Sequence, residues 1–348
     1  MRLLPTGMII EDIRGVTDMI YKNPIPASEP WSLDINLRKD LAFLMKASLK
    51  RRGIRTGQRD PVYEYFNFIK RTIVIRPRRI VKSEECHVPP EYEKALEYFE
   101  NDVKAGRDLN KYLSDAILQP AEPDELLYDW NIVHFHLTKR FREDGFAKRS
   151  DYQIFAWVTD DCLYMIQIYP HDSRKEPFLY AKQELVRIVE RNWPQLLEPY
   201  RIPGVSELTE KLDDEAYDKI HKVHVTTAIQ TRKDYVYCMI GGGYASDGSS
   251  GEAMRNANSW RNRMYICEEI IRENMHWIVS MIRDFRGDRG NDYKIRMKEL
   301  PENIDDISVV ELQNGVGIQM LLREGRFRVY PMEEECLYQM WERYERIK

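Results

Sequence analysis

No stretch of this sequence reaches 18 apolar residues free of charge, so nothing in it reads as a membrane span. None of the five cysteines (Cys86, Cys162, Cys238, Cys267, Cys336) forms a CxxC pair. An odd, scattered set argues against a zinc knuckle or disulfide framework and fits reduced thiols in a cytoplasmic protein. There is no internal repeat and no low-complexity tract. GxGxxG and GK[ST] are both missing, which removes the usual phosphate-loop signatures of nucleotide enzymes. A net charge of −4 argues against a generic polyanion binder, so any nucleic-acid contact must come from a local patch. The start, MRLLPTGMIIEDIRG, turns charged too soon for a secretory leader.

What is present suits a folded chain long enough for more than one core. Periodicity divides it into a basic N-terminal α/β region (1–120), a central sheet and helix (121–203), and a C-terminal α+β domain (215–348). Between Met45 and Lys82 there are twelve Lys and Arg against two acids, Asp60 and Glu64. Within that run KRTIVIRPRRIV alternates apolar and basic residues, which predicts a strand with one cationic face. Lys70, Arg71, Arg76, Arg78, Arg79 and Lys82 are its candidate phosphate contacts, because cations without counter-ions repel unless an anion sits nearby. The alternative is a solvated edge strand protected by its charges.

Further along, a helix is expected to stop near Gly106, and another, within EPFLYAKQELVRIVERNWPQLLEPY and carrying Leu185, Ile188 and Val189 at helical spacing, to halt at Pro194. A long helix over 252–285 carries Trp260, Met264, Cys267, Ile271, Met275, Ile278, Ile282 and Phe285 at three- and four-residue steps. That stripe reads as a domain spine, or as a surface for self-association. Strands joined at NG and REG turns close the chain. The loop MIGGGYASDGSSGE lies between a strand and this helix. There Gly241, Gly242 and Gly243 could offer backbone N–H groups to an anion, with Ser249 and Glu252 as a capping box. A tight structural turn is the competing reading.

The centre of the chain is chemically richer. HFHLTKRFREDGFAKRSDYQIFAWVTDDCLYMIQIYPHD holds three of the seven histidines. His134 and His136, two apart on a strand, share one face. DYQIFAWV and CLYMIQIY read as two more strands turning at TDD, and the third ends at His171. Lys139, Arg140 and Arg149 crowd the intervening loop. Histidines that exchange protons near neutral pH, among fixed cations, suit RNA cleavage: one base for the 2′-OH, one acid for the leaving 5′-oxygen, and cations for the phosphate. Each histidine could instead be a hydrogen-bonded structural residue. A metal site built from His-x-His with His171, Asp151 or Asp161 is a third reading.

YQIFAWVTDDCLYMIQIYPH resembles the sheet core of the RelE–ParE superfamily of toxins, most closely the YoeB-type and HigB-type ribosome-dependent mRNA endonucleases. The resemblance spans about Leu126 to Trp193 and includes the spacing from Thr159 to His171. It implies an antiparallel sheet with flanking helices and a catalytic His171. The family's arginine falls on Gln153, its tyrosine on Asp172, and its general-base carboxylate near His134 and His136.

Together these readings give an α+β chain acting as a toxin or defence-type endoribonuclease with no cofactor and no metal. Its catalytic set is His171, His134, His136, Arg149, Lys139 and Arg140. Its expected partners are nucleic acid (RNA before DNA), a ribosome or antitoxin-like protein, and no membrane. The rival is a non-catalytic nucleic-acid-binding or assembly subunit using the basic patch.

Overall fold

The structure, a computed structural model, describes residues 8–10, 31–57, 59–119, 122–287 and 290–345. Most of the start read above as no leader, and Pro120 and Ala121 of the connector before α4, lie outside the described residues. In chain order the elements begin β1 (Met8–Ile10), β2 (Ser32–Ile35), α1 (Leu37–Arg51), α2 (Pro61–Arg71), β3 (Arg79–Lys82) and α3 (Glu93–Lys104). There follow α4 (Glu125–Trp130), β4 (Val133–His136), β5 (Tyr152–Val158), β6 (Cys162–Pro170), α5 (Glu184–Asn192), α6 (Asp214–Lys222), β7 (Ile229–Arg232) and β8 (Tyr235–Tyr237). The last are α7 (Gly251–Glu273), α8 (Met275–Arg286), β9 (Asp292–Met297), β10 (Asp306–Glu311), β11 (Val316–Leu321), β12 (Arg326–Pro331) and α9 (Glu334–Glu345). The fold is mixed α+β, as the sequence led us to expect. Among the described residues no helix is long and apolar enough to cross a membrane.

Two compact units emerge, one of residues 1–48 with 257–348 and one of 49–256. This division differs from the three sequence regions. The reason is β3, which pairs in parallel with β6 and so joins the basic segment to the central sheet in the order β3-β6-β5-β4.

In the unit 49–256, α2 starts where Asp60 accepts hydrogen bonds from the Val62 and Tyr63 N–H groups, with Pro61 in the first turn. The four-stranded sheet buries both faces. Phe135, Ile154, Leu163 and Met165 pack on one side with Phe99, Val103 and Tyr112. Phe155, Trp157 and Ile166 pack on the other with Trp130, Leu185, Val189 and Trp193. The expected strand through residues 70–82 shrinks to four residues. Thr72 to Arg78 belong to no element, and Pro77, which lacks an N–H, sits among them.

In the other unit, β1, β12, β11, β10, β9 and β2 form a six-stranded sheet, antiparallel except for β2 against β9. The hairpin at Asn314-Gly315 is present, with Gly315 at φ +67°. The long helix is broken at Asn274. Its side-chain amide donates to the Ile270 carbonyl at 2.7 Å and competes with the helical ladder. The apolar stripe survives the break, with Met264, Cys267, Ile271, Met275, Ile278 and Ile282 all buried.

Asp102 ties α3 to the segment after it. Its buried carboxylate accepts from Tyr112 Oη at 2.7 Å, Lys111 Nζ at 2.7 Å and Arg107 Nη1 at 2.8 Å. Burial alone would raise its pKa, but these donors outweigh burial and hold it below the usual 3.8. A carboxyl depressed in the folded state contributes stability that is full above its unfolded value and lost as pH falls through the folded one. Asp102→Ala is expected to cost about 1–3 kcal/mol at neutral pH, and less below pH ~3. Urea unfolding at both pH values checks this; equal losses at both would remove the electrostatic part.

Candidate functional site

Register places the histidines. In the β4–β5 pair His134 lies opposite Phe155, Phe135 opposite Ile154, and His136 opposite Gln153. Phe135 is fully buried in the core, so alternation turns both histidines to the other face. The sequence reading needed β4 beside the strand that ends at His171. Instead β5 lies between β4 and β6. His171 follows the last residue of β6, donates its N–H to the Asp151 carbonyl at 2.7 Å, and brings its ring centroid to 5.8 Å from that of His136. His134 stands further along the face, its ring centroid 5.1 Å from Tyr180. The Tyr180 hydroxyl donates to Gln153 Oε1 at 3.0 Å, and Gln153 itself is buried.

Three cavities meet around these rings. One of about 260 Å³ is lined by His136, His171, Arg149, Ser114 and Asp115, among others. A second, about 400 Å³, shares Arg149 and His171 with the first. A third, about 270 Å³, lies beside His134 and Tyr180 and shares Leu113 and Ser114 with the first. The Nδ1 atoms of His134, His136 and His171 are buried without a hydrogen-bond partner. Arg149 has no ion pair or hydrogen bond from its guanidinium among the described residues.

Electrostatics follow from that geometry. Burial lowers the His134 pKa below its ordinary value. His136 falls to about 4 because of burial first, then His134, His171 and Arg149. His171 is lowered by burial, then by Arg149 and His134. All three imidazoles are therefore neutral at pH 7; Arg149 is the unpaired cation beside His136 and His171, while Arg142 in the same cavity is paired with Asp115 and Asp144. The site can accept a proton and bind an anion. An anion held there would raise the imidazole pKa values and let one of them donate. Among the described residues no three His, Cys, Asp or Glu side chains converge as metal ligands.

No known family, curated protein or solved structure matches this chain. The reading of the site therefore rests on its own residues.

Of the expected clamps, only Arg149 reaches the cavities. Lys139 and Arg140 are exposed and line none of the three. The basic segment also departs from expectation. Lys70 is buried against Asn131 Oδ1 at 3.0 Å and Glu252 at 2.5 Å. Arg71 donates to the Gln119 and Ala116 carbonyls, and Arg78 to those of Thr159 and Val74, at 2.7–2.9 Å. Arg76 pairs with Asp160, Arg79 with Asp161 and Lys82 with Glu100. Counter-ions absent from the local sequence arrive from elsewhere in the unit, so these six do not form one open cationic strand face.

The glycine loop is likewise committed. The N–H groups of Gly241, Gly242 and Gly243 donate to the carbonyls of Asp129, Met239 and Tyr128 at 2.7–2.9 Å, leaving none of the three for an anion. Ser250, not Ser249, caps α7, accepting from the Ala253 N–H at 3.2 Å. Ser249 accepts from Arg59 and Glu252 binds Lys70. Sequence reasoning missed Ser114, Tyr180 and Phe178, which lie outside the histidine segment; no spacing signal marks them.

A Cβ on Gly241 would stand 2.2 Å from the Leu127 carbonyl oxygen, a backbone atom held by α4. Gly241→Ala is expected to destabilise the unit 49–256 by about 3 kcal/mol, the upper end of overpacking costs. Thermal unfolding reads it; an unaltered transition would mean the loop can move away and is free to serve a ligand.

Proposed function

We propose that the cleft beside β4 is the catalytic centre of an endoribonuclease that works without a metal. The observation that carries this is the His136–His171 pair, 5.8 Å between ring centroids, lining one cavity with the uncompensated Arg149. In this reading His136 is the general base, because the lower pKa keeps it unprotonated down to about 4. It takes the 2′-OH proton as the 2′-oxygen attacks phosphorus. The bond to the 5′-oxygen breaks, His171 protonates that oxygen, and a 2′,3′-cyclic phosphate remains. Arg149 binds the phosphate and carries the charge that builds on it. His134 lies behind His136 and disfavours its protonation.

The resemblance to RelE–ParE toxins implies the same reading; that family's arginine falls on the buried Gln153, which leaves the phosphate to Arg149. A ribosome-presented RNA and an antitoxin-like partner belong to this proposal, as does a cytoplasmic site of action. The rival, a binding subunit acting through residues 45–82, loses its second half, because Lys70, Arg71 and Arg78 point inward and Arg76, Arg79 and Lys82 have acidic partners. Lys46, Lys50, Arg51, Arg52, Arg55 and Arg59 stay exposed and are what that reading rests on.

Incubation with RNA in EDTA, with and without ribosomes, should yield 2′,3′-cyclic ends. His136→Ala and His171→Ala should each lower the rate by about 10²–10⁴, with stability held within about 1 kcal/mol. The pH profile is distinctive. The base must be neutral and the acid protonated, so kcat/KM should rise through about pH 4. It should then fall at a pH below the ordinary histidine value of 6.5, since the His171 pKa is lowered. A plateau extending to pH 8, or full activity in both alanine variants, would place the chemistry elsewhere.

A further inference from the structure

Beyond His171 the chain passes through Asp172 to Pro177 and reaches Phe178, whose φ is +53°. A bulky residue in the left-handed region is a backbone outlier, and such strain collects at ligand clamps. Phe178 is also 36% exposed, so folding recovers little from its placement. Its ring borders the cavity of about 400 Å³, within the usual range for a small-molecule site. Arg149, His171, Glu176, Tyr180 and Asp218 line the same space. Two of these, Arg149 and His171, also line the cavity assigned above to the scissile phosphate. Phosphate and nucleobase in RNA are separated by one ribose; here the two cavities adjoin through Arg149 and His171, which line both.

The lining specifies the chemistry. Phe178 and Tyr180 offer ring faces for stacking. Glu176 Oε2 is held by Lys182 at 2.7 Å, and Asp218 Oδ2 by Lys222 at 2.5 Å. Among the described residues their other carboxylate oxygens have no hydrogen-bond partner and remain acceptors. Arg149 and Lys222 border the same cavity, so its lining carries both charges, and the free oxygens of Glu176 and Asp218 are the part that favours a base presenting donors. Guanine shows N1–H and the exocyclic N2 amine side by side, matching the two oxygens of one carboxylate or one oxygen from each. Adenine and cytosine show one exocyclic amine, and uracil only a ring N–H.

We propose that this cavity is a nucleobase subsite that selects guanine next to the scissile phosphate. The placement of that phosphate rests on the nuclease reading above; the stacking and acceptor arguments do not. Calorimetric titration with guanosine 3′,5′-bisphosphate and uridine 3′,5′-bisphosphate tests the subsite without turnover. Guanosine bisphosphate should bind at least about tenfold tighter, the scale of one base stack with donor readout. Phe178→Gly should lose about tenfold in that affinity while the melting temperature holds or rises, because glycine adopts a positive φ without penalty. Glu176→Gln should narrow the guanine-to-uracil ratio and serves if the glycine variant folds poorly. Equal affinity for the two bisphosphates, unaltered in both variants, would overturn the subsite even if RNA is cleaved. Selective guanosine binding by a protein that cleaves no RNA would keep the subsite and remove the nuclease reading.

Discussion

The pairing of β4 with β5 sets everything at the cleft. With Phe135 opposite Ile154 the even-numbered residues of β4 all face one way, and the phenyl ring fills the core around Phe99 and Tyr112. A slip of one residue would exchange the faces, burying two imidazoles in that core and exposing Phe135 to the cavities. The apolar cost of such a slip is far larger than anything the histidines could recover. The core thus fixes the site without touching the reacting groups.

Electrostatics complete what register begins. In the second half of the basic segment, from Lys70 to Lys82, the cations are neutralised by acids brought from other elements, or spend their donors on backbone carbonyls. Arg149 is different: it faces neutral imidazoles. Desolvation keeps those rings uncharged, and the guanidinium strengthens the effect. An anion is the partner that relieves both, pairing with the arginine and drawing a proton onto a nearby ring. A cleft of this kind binds phosphate best when the ring beside it is protonated, so binding and acid catalysis are coupled.

How much of this was legible beforehand depended on range. The meander from Val133 to Pro170, the helix stops at Gly106 and Pro194 and the Asn314-Gly315 hairpin could be read because each signal lies within a few residues of its effect. The parallel pairing of Arg79–Lys82 with Cys162–Met165 could not, since about eighty residues intervene. The basic run misled for the same reason: the partners of Lys70 and Arg78 are Glu252 and the Thr159 carbonyl, invisible to local charge counting. Gly241–Gly243 resembled an anion loop because the carbonyls that occupy two of its three N–H groups belong to Tyr128 and Asp129, more than a hundred residues earlier. Of the four residues that composition and spacing point to, His136, His171 and Arg149 line one cavity, and His134 lines the neighbouring one. Tyr180 and Ser114 join them only through tertiary packing.

The most direct measurement is an NMR titration of the histidine ring carbons, made on the free protein and again with saturating inorganic phosphate. In the free protein His136 should titrate near 4 and His171 below 6.5. With phosphate bound, both should move upward, and the shift should vanish in Arg149→Gln. Ordinary histidine values in the free protein, unmoved by phosphate, would contradict the desolvated, anion-seeking cleft described for this chain.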